Sequence, residues 1–474
     1  MRSAVPGSRP SPRPAGNRRA RSSAAARGGA SVTDNPSVRR LADWPAERLR
    51  DLADGYGTPL YVLDLERVRQ NATRLRQAFP SADVAYAVKA NTTRAVLGTL
   101  ESTGVDAECA AAGEVKRALD AGVPASRVRY TAVNPPDRDL DFVCSLDAAD
   151  ELTITVGAED TLDRVAARGF DGPLCVRVNP GVGAGHHAKV STGAEPKFGL
   201  PYDRAADVAR GAADRGFDLV GIHAHAGSGI SDEELSAHRE LVRRMGELAR
   251  DLAALDLGFV AVGGGFGVPY REEEAPLDLD AVAEPTRDAL GDVQPRLAIE
   301  PGRYFVADAG VLLTTVNTVK ETPGTTVVGV DAGMTTLLRP AMYDAYHAVR
   351  SLEPDLPPRD PVSCEVSGPV CETADVLGRD RTLPAPTRGD LLAVGNAGAY
   401  GYEMSSQYNS RPRPAVVAVD GSETRLAVRR ETLTDLTRLE TTGGDGASES
   451  DEVSITGETQ GSGRTDGVDG RDTS

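Results

Sequence analysis

VAYAVK, residues 84 to 89, is the first of eight short apolar runs that decide the fold. The others are VDAEC (105 to 109), VRYTAV (128 to 133), LTITV (152 to 156), LCVRV (174 to 178), LVGIHAH (219 to 225), FVAVG (259 to 263) and LAIE (297 to 300). Each fits a strand. Seven amphipathic or alanine-rich stretches separate them, such as AGEVKRALDA (112 to 121) and residues 233 to 256, where apolar residues recur at helical spacing. Strands alternating with helices in this way predict an α/β fold, a (β/α)8 TIM barrel of about 250 residues. Polar and glycine residues collect just after the strands: Lys89 and Asn91, His225 with Gly227 and Ser228, Gly263 to Gly267, and Glu300 with Arg303. Active sites of such barrels lie at the C-terminal ends of the strands, so these positions share one rim.

Outward from the barrel the pattern changes. After Glu300 come period-two runs without intervening helices: 311 to 321, 325 to 333, 362 to 371, 390 to 400 and 414 to 421. They predict a C-terminal β-sandwich or small β-barrel domain. Upstream, residues 41 to 64 read as a short helix and a strand broken at Gly57, Thr58 and Pro59, and that strand is assigned to the β domain. The expected division is a basic arm (1–40), the joining segment (41–64), the barrel (65–308), the β domain (309–437) and an acidic tail (438–474). The arm carries nine arginines and one acid, with Pro, Ser, Gly and Ala and no hydrophobic core of a signal peptide. Arm and tail both have the composition of disordered chain.

The chain has 474 residues, 40% of them hydrophobic, enough for an ordinary soluble core. No apolar run approaches the roughly 20 residues of a membrane span. A net charge of −17 disfavours nucleic acid and anionic lipid as partners. Only five of the 53 basic residues are lysines. An acidic, lysine-poor surface suits a cytoplasm at high salt, with an arginine-favouring codon bias as the alternative. A lysine retained in a strand of such a chain points to amine chemistry. The five cysteines are odd in number and lack C-x-x-C spacing, which suggests a reducing, cytoplasmic compartment.

Lys89 ends an apolar run, and a buried amine must be paired, neutral or covalently engaged. A Schiff base to a carbonyl compound meets that need, as does a buried ion pair. The run Gly263-Gly264-Gly265-Phe266-Gly267 can bring backbone amides close to a phosphate, although a glycine cluster also marks a plain tight turn. Phosphate sites of these barrels fall in the late loops, where this run lies. Lysine plus phosphate cradle indicates pyridoxal 5'-phosphate. Glu300 is then the candidate partner of a protonated pyridine nitrogen, against a salt bridge to Arg303. His225 is a candidate to stack on the ring, against a satisfied core histidine. The H-x-H pattern has no nearby third ligand and no H-E-x-x-H, so no metal is expected.

The set YAVKAN (86 to 91), HAHAGS (223 to 228), GGGFG (263 to 267), EPGR (300 to 303), RPAMYDAYH (339 to 347), GPVCETAD (368 to 375) and GAY (398 to 400), followed by YNSRPRP, resembles the diaminopimelate decarboxylases over residues from about 45 to 437. The resemblance implies a pyridoxal-phosphate enzyme that decarboxylates the D-centre of meso-diaminopimelate to L-lysine. It implies that Lys89 carries the cofactor, His225 stacks on it and Glu300 holds its ring nitrogen. Ser228, Gly263, Gly264, Gly265, Pro301, Gly302, Arg303 and Tyr400 would surround the phosphate and its substrate side. Arg303, Arg339, Tyr343 and Tyr400 would contact the substrate, with the distal carboxylate on Arg303, Arg339 and Tyr343, and Glu372 would bind its distal amine. Cys371 would donate the proton to the carbanion. In the family Cys371 and Glu372 reach the site of the other subunit, which implies a homodimer with shared active sites. One departure is Ala111, where the family often has serine. The alternatives are an ornithine or arginine decarboxylase, which typically has C-D where this chain has Cys371-Glu372, and a non-enzymatic pyridoxal-phosphate carrier, which would lack both residues.

Overall fold

The computed structural model describes residues 36–183, 196–228, 235–354 and 358–441. Strand β1 (Leu60–Asp64) belongs to the second domain. The barrel strands are β2 (Asp83–Ala87), β3 (Asp106–Cys109), β4 (Val128–Tyr130), β5 (Thr153–Val156), β6 (Pro173–Asn179), β8 (Asp218–His223), β9 (Phe259–Ala261) and β10 (Arg296–Ile299). They run in the order β5-β4-β3-β2-β10-β9-β8-β6, all parallel, and pairing of β5 with β6 closes the ring. A two-residue strand, β7 (Leu200–Pro201), adds to β6 outside it. Every apolar run contains one strand, because strands covered by helices outside and packed side chains inside need apolar residues on both faces.

A helix occupies each gap between barrel strands: Arg94–Ser102, Ala112–Asp120, Asp137–Cys144, Glu159–Ala166, Tyr202–Asp214, Leu235–Asp251 and Leu279–Leu290. Five of the strands (β2, β4, β8, β9 and β10) stop earlier than their apolar runs. β2 ends at Ala87 and Val88–Ala90 form a 3-10 turn, so Lys89 stands just beyond the strand on the C-terminal rim.

The second domain is one mixed network of nine strands, which also includes β11 (Gly310–Thr322), β12 (Thr325–Val330), β13 (Val349–Ser351), β14 (Pro361–Ser367), β15 (Val376–Pro384), β16 (Leu391–Val394), β17 (Ala415–Asp420) and β18 (Glu423–Val428). Long β11 joins its halves: residues up to Thr315 pair with β1 and β16, and those from Val316 pair with β12. β1 lies between β11 and β17, where the joining segment was assigned. β13, β15 and β18 are additional to the sequence reading. β15 carries arginines and a left-handed Asp380, and β18 is a largely exposed edge strand, so neither has the alternating pattern.

The domains meet without a linker. Asp64, the last residue of β1, caps helix Leu65–Ala78 by accepting from the amides of Glu66 and Arg67. Arg67 and Asp308, both buried, form an ion pair at 2.6 Å that ties this helix to the point where the chain leaves the barrel. Residues 36–40, expected in the disordered arm, pack at this junction: Arg39 pairs with Asp64 at 2.7 Å, and Arg67 Nη1 donates to the Pro36 carbonyl at 2.8 Å. The remainder of the expected arm and nearly all of the tail lie outside the described residues.

Candidate active site

At the C-terminal rim lies a cavity of about 360 Å3, a size suited to a small molecule. It brings together Lys89, His225, Ser228, Gly265, Glu300, Gly302, Arg303, Arg339, Tyr343 and Tyr400 from the sequence reading. Gly263, Gly264 and Pro301 form the wall behind. A Cβ on Gly263 would lie 2.3 Å from His225 Nδ1, and one on Gly264 would lie 2.3 Å from the Glu300 carbonyl and 2.6 Å from Pro301 Cα. Gly263 and Gly265 also have φ of 71° and 85°, the left-handed region glycine tolerates.

Lys89 Nζ donates to Glu108 Oε2 at 2.7 Å. Its side chain is 43% accessible, but that surface faces the cavity. Burial opposes the ammonium charge, and the Glu108 carboxylate outweighs it, so the Lys89 pKa lies above its ordinary value. The ion pair weighed for Lys89 is therefore present on the cavity floor, with its partner in β3.

Glu300 does not pair with Arg303. His223 Nε2 donates to Glu300 Oε2 at 2.8 Å, and Arg129 Nη1 stands 3.9 Å from Oε1. Burial alone would raise the Glu300 carboxyl, but His223 and Arg129 bring it well below the usual carboxylate range, so it is ionised at neutral pH. His225 is neutral, because burial, reinforced by Lys89 and Arg177, lowers it to about 3. His225 Nδ1 accepts from the Gly264 amide at 3.4 Å, so this neutral imidazole lines the cavity with its acceptor turned to the glycine run.

Two buried guanidiniums close the other side. Arg303 Nη1 donates to the Tyr270 hydroxyl at 2.7 Å and Nη2 to Ser228 Oγ at 3.3 Å; Arg339 Nη1 donates to the same Tyr270 oxygen at 3.0 Å. Neither arginine has a carboxylate within 4.0 Å among the described residues, and Arg303 Nε is buried without a hydrogen-bond partner. Two such cations lining a cavity form a site for an anion. Tyr400 is brought in from the second domain with φ of 55°; its amide donates to the Ala90 carbonyl at 2.8 Å, and its ring lies 4.9 Å from the Arg303 guanidinium. A non-glycine residue held in this region at a cavity marks a functional constraint.

Residues 65–307 match the family model described as pyridoxal-dependent decarboxylase, pyridoxal binding domain. The chain is 44% identical over 404 residues to the diaminopimelate decarboxylase of Methanothermobacter thermautotrophicus, covering 82% of this chain and 92% of that one. The chain belongs to the diaminopimelate decarboxylase family. The Neisseria meningitidis serogroup A member is 39% identical over 81% of this chain and 94% of its own. The crystal structure of the Helicobacter pylori diaminopimelate decarboxylase complexed with L-lysine superposes with a TM-score of 0.77 at 33% identity, covering 83% of this chain and 99% of that one.

The cavity fits the pyridoxal phosphate of this family on its own features. It has an amine (Lys89), a buried carboxylate ionised for a pyridinium (Glu300), a neutral imidazole (His225) and a glycine wall, in which Gly265 and Gly302 line the cavity and a Cβ on Gly263, Gly264 or Gly302 would press on neighbouring protein atoms. Cys371 and Glu372 stand apart from it. Both are exposed and neither lines the cavity; Asn409 Nδ2 lies 3.5 Å from Cys371 Sγ, and the Tyr408 hydroxyl donates to Glu372 at 2.6 Å. Asn409 and Ser410 beneath them both adopt left-handed backbone, with φ of 56° and 52°. Ala111, where the family often has serine, is the N-cap of helix Ala112–Asp120 and makes no side-chain cap. Glu114 and Asp139 accept instead from the amides of Ala110 and Ala112, at 2.7 and 3.3 Å.

Sequence reasoning did not name Glu108, Arg177, His223, Tyr270 or His347 as site residues. Glu108 carried a signal, as an acid inside the apolar run next in order to that of Lys89. Tyr270 carried none, being an ordinary loop residue after the glycine run.

Proposed function

We propose that the chain decarboxylates meso-2,6-diaminopimelate at its D-centre to L-lysine and carbon dioxide, the last step of lysine biosynthesis, with pyridoxal 5'-phosphate as cofactor. The observation that carries this reading is the buried Arg303 and Arg339 pair, which has no carboxylate partner among the described residues and opens on the same cavity as Lys89. Ornithine and arginine have no second carboxylate, and for them such a pair would be a costly buried charge.

Lys89 holds the cofactor through its amine, and Glu300 accepts from its ring nitrogen. Amides of Gly263 to Gly265 and Gly302, with Ser228, cradle the phosphate. Bound pyridoxal phosphate supplies an electron sink for the pair left when the carbon–carboxylate bond breaks. Arg303, Arg339 and Tyr343 hold the distal carboxylate, which fixes the position of the bond to be broken. After carbon dioxide leaves, the Cys371 thiol delivers a proton to the same carbon, and Glu372 holds the distal amine. For this to happen both residues must come from a second subunit, so the active form is a homodimer with shared sites. Their exposure, away from the cavity of their own chain, supports that arrangement.

The test is product identification by mass after the purified protein is incubated separately with meso-diaminopimelate, ornithine and arginine. L-lysine from the first alone is expected; putrescine or agmatine formed faster than L-lysine contradicts the reading. The odd, unpaired cysteines support a cytoplasmic location. The acidic, lysine-poor composition supports adaptation to high salt, and melting that is unchanged between about 0.1 M and several molar salt would contradict it.

A further inference from the structure

Tyr270 joins two cations that come from different domains. Arg303 follows the last barrel strand, and Arg339 opens the helix Arg339–Tyr343 of the second domain. A phenol oxygen accepts two hydrogen bonds, and here the two guanidiniums take both, at 2.7 and 3.0 Å. The second Nη1 proton of Arg339 goes to His347 Nε2 at 3.0 Å. The opposite nitrogen of His347 lies 2.8 Å from the Gly395 carbonyl, which can only accept, so Nδ1 carries the proton and Nε2 is the acceptor. With Nη1 saturated, Arg339 has its Nε–Nη2 edge left for a carboxylate; Arg303 Nε is buried without a partner among the described residues, so Arg303 offers the cavity its Nη atoms.

Left alone, two buried guanidiniums repel and turn apart. We propose that Tyr270 is a positioning residue that determines specificity: its hydroxyl oxygen holds the Arg303 and Arg339 guanidiniums side by side on the cavity wall, where both can receive the second carboxylate of the substrate. The proposal rests on the function proposed above. Burial raises the Tyr270 phenol, and the two guanidiniums outweigh it and bring it below its ordinary value, as expected of an oxygen that shares their charge. Its ring also serves as a platform, 5.0 Å from the Arg339 guanidinium and 5.3 Å, edge to face, from His347. Tyr270→Phe therefore keeps the ring contacts and removes the bridging oxygen alone.

The experiment uses holoenzyme loaded with pyridoxal phosphate and measures inhibition by L-lysine, which has the second carboxylate, and by cadaverine, which lacks it. In Tyr270→Phe the L-lysine inhibition constant and the KM for meso-diaminopimelate should each rise at least about fivefold, since two buried donors lose their acceptor. Cadaverine inhibition should be unchanged, and any fall in kcat should be smaller than the rise in KM. No change for L-lysine, or an equal loss for both inhibitors, overturns the role of Tyr270. If wild-type enzyme binds cadaverine as tightly as L-lysine, the carboxylate site itself is refuted and the role of Tyr270 falls with it.

Discussion

Lys89 Nζ and Glu108 Oε2 meet at 2.7 Å on the cavity floor, in a chain that has few lysines. The pair satisfies a charge that the interior would otherwise reject, and it holds the amine toward the space where a carbonyl cofactor would sit. Purified protein should therefore absorb in the visible near roughly 420 nm when loaded with pyridoxal phosphate. Lys89→Ala should lose that band. A variant that keeps it would show that another amine carries the cofactor.

Stability should fall in mild acid, for a reason that can be traced to three imidazoles. Burial lowers His225 and His347 to about 3 and His238 to about 4. In the unfolded chain each takes a proton below about pH 6.5, so their contribution is complete above that value and is lost as pH falls toward 4. Each contributes up to about 1.4 kcal/mol per pH unit in that window. Glu403, held at about 7 by burial, and Glu114, also raised by burial, act in the opposite sense and cancel part of the effect. The urea midpoint should be lower at pH 5 than at pH 7, and His238→Gln, which lies outside the cavity, should flatten the difference. An equal or higher midpoint at pH 5 would contradict this.

The proposed shared-site dimer makes a complementation forecast. Lys89→Ala and Cys371→Ala should each be nearly inactive alone. Mixed under conditions that exchange subunits, they should recover up to about a quarter of wild-type activity, because half the dimers are hybrid and each hybrid has one intact site. No recovery, with exchange verified by mass, would place Cys371 in the cavity of its own chain or outside the chemistry.

The barrel was legible because its strands are largely buried on both faces and so appear as short, mainly apolar runs. The second domain was legible only in part. β1, β11, β12, β14, β16 and β17 alternate or are apolar, whereas β15 bends at Asp380 and β18 is exposed along its length. Of the site, the glycines and Lys89 were visible as chemistry, since each is an unusual residue for its place. The pairings were not visible. The alternative weighed for Glu300 was a salt bridge to Arg303, its neighbour in sequence, yet the strand order puts β8 beside β9 and β9 beside β10, and His223 reaches Glu300 across them. Tyr270 and His347 could not be found from spacing, because what joins them is the packing of one domain on the other.

The claim at the centre of this account is that the buried arginine pair receives the second carboxylate of the substrate. Arg339 can meet it with a two-pronged hydrogen bond, and removing the arginine leaves that charge inside a closed site without its partner, at about 2 to 5 kcal/mol. The direct measurement is kcat/KM for meso-diaminopimelate in Arg339→Ala, with the visible absorbance of the cofactor recorded on the same sample. A loss of at least about thirtyfold with the absorbance retained is predicted; wild-type kcat/KM in that variant would contradict both the role of the pair and the choice of substrate.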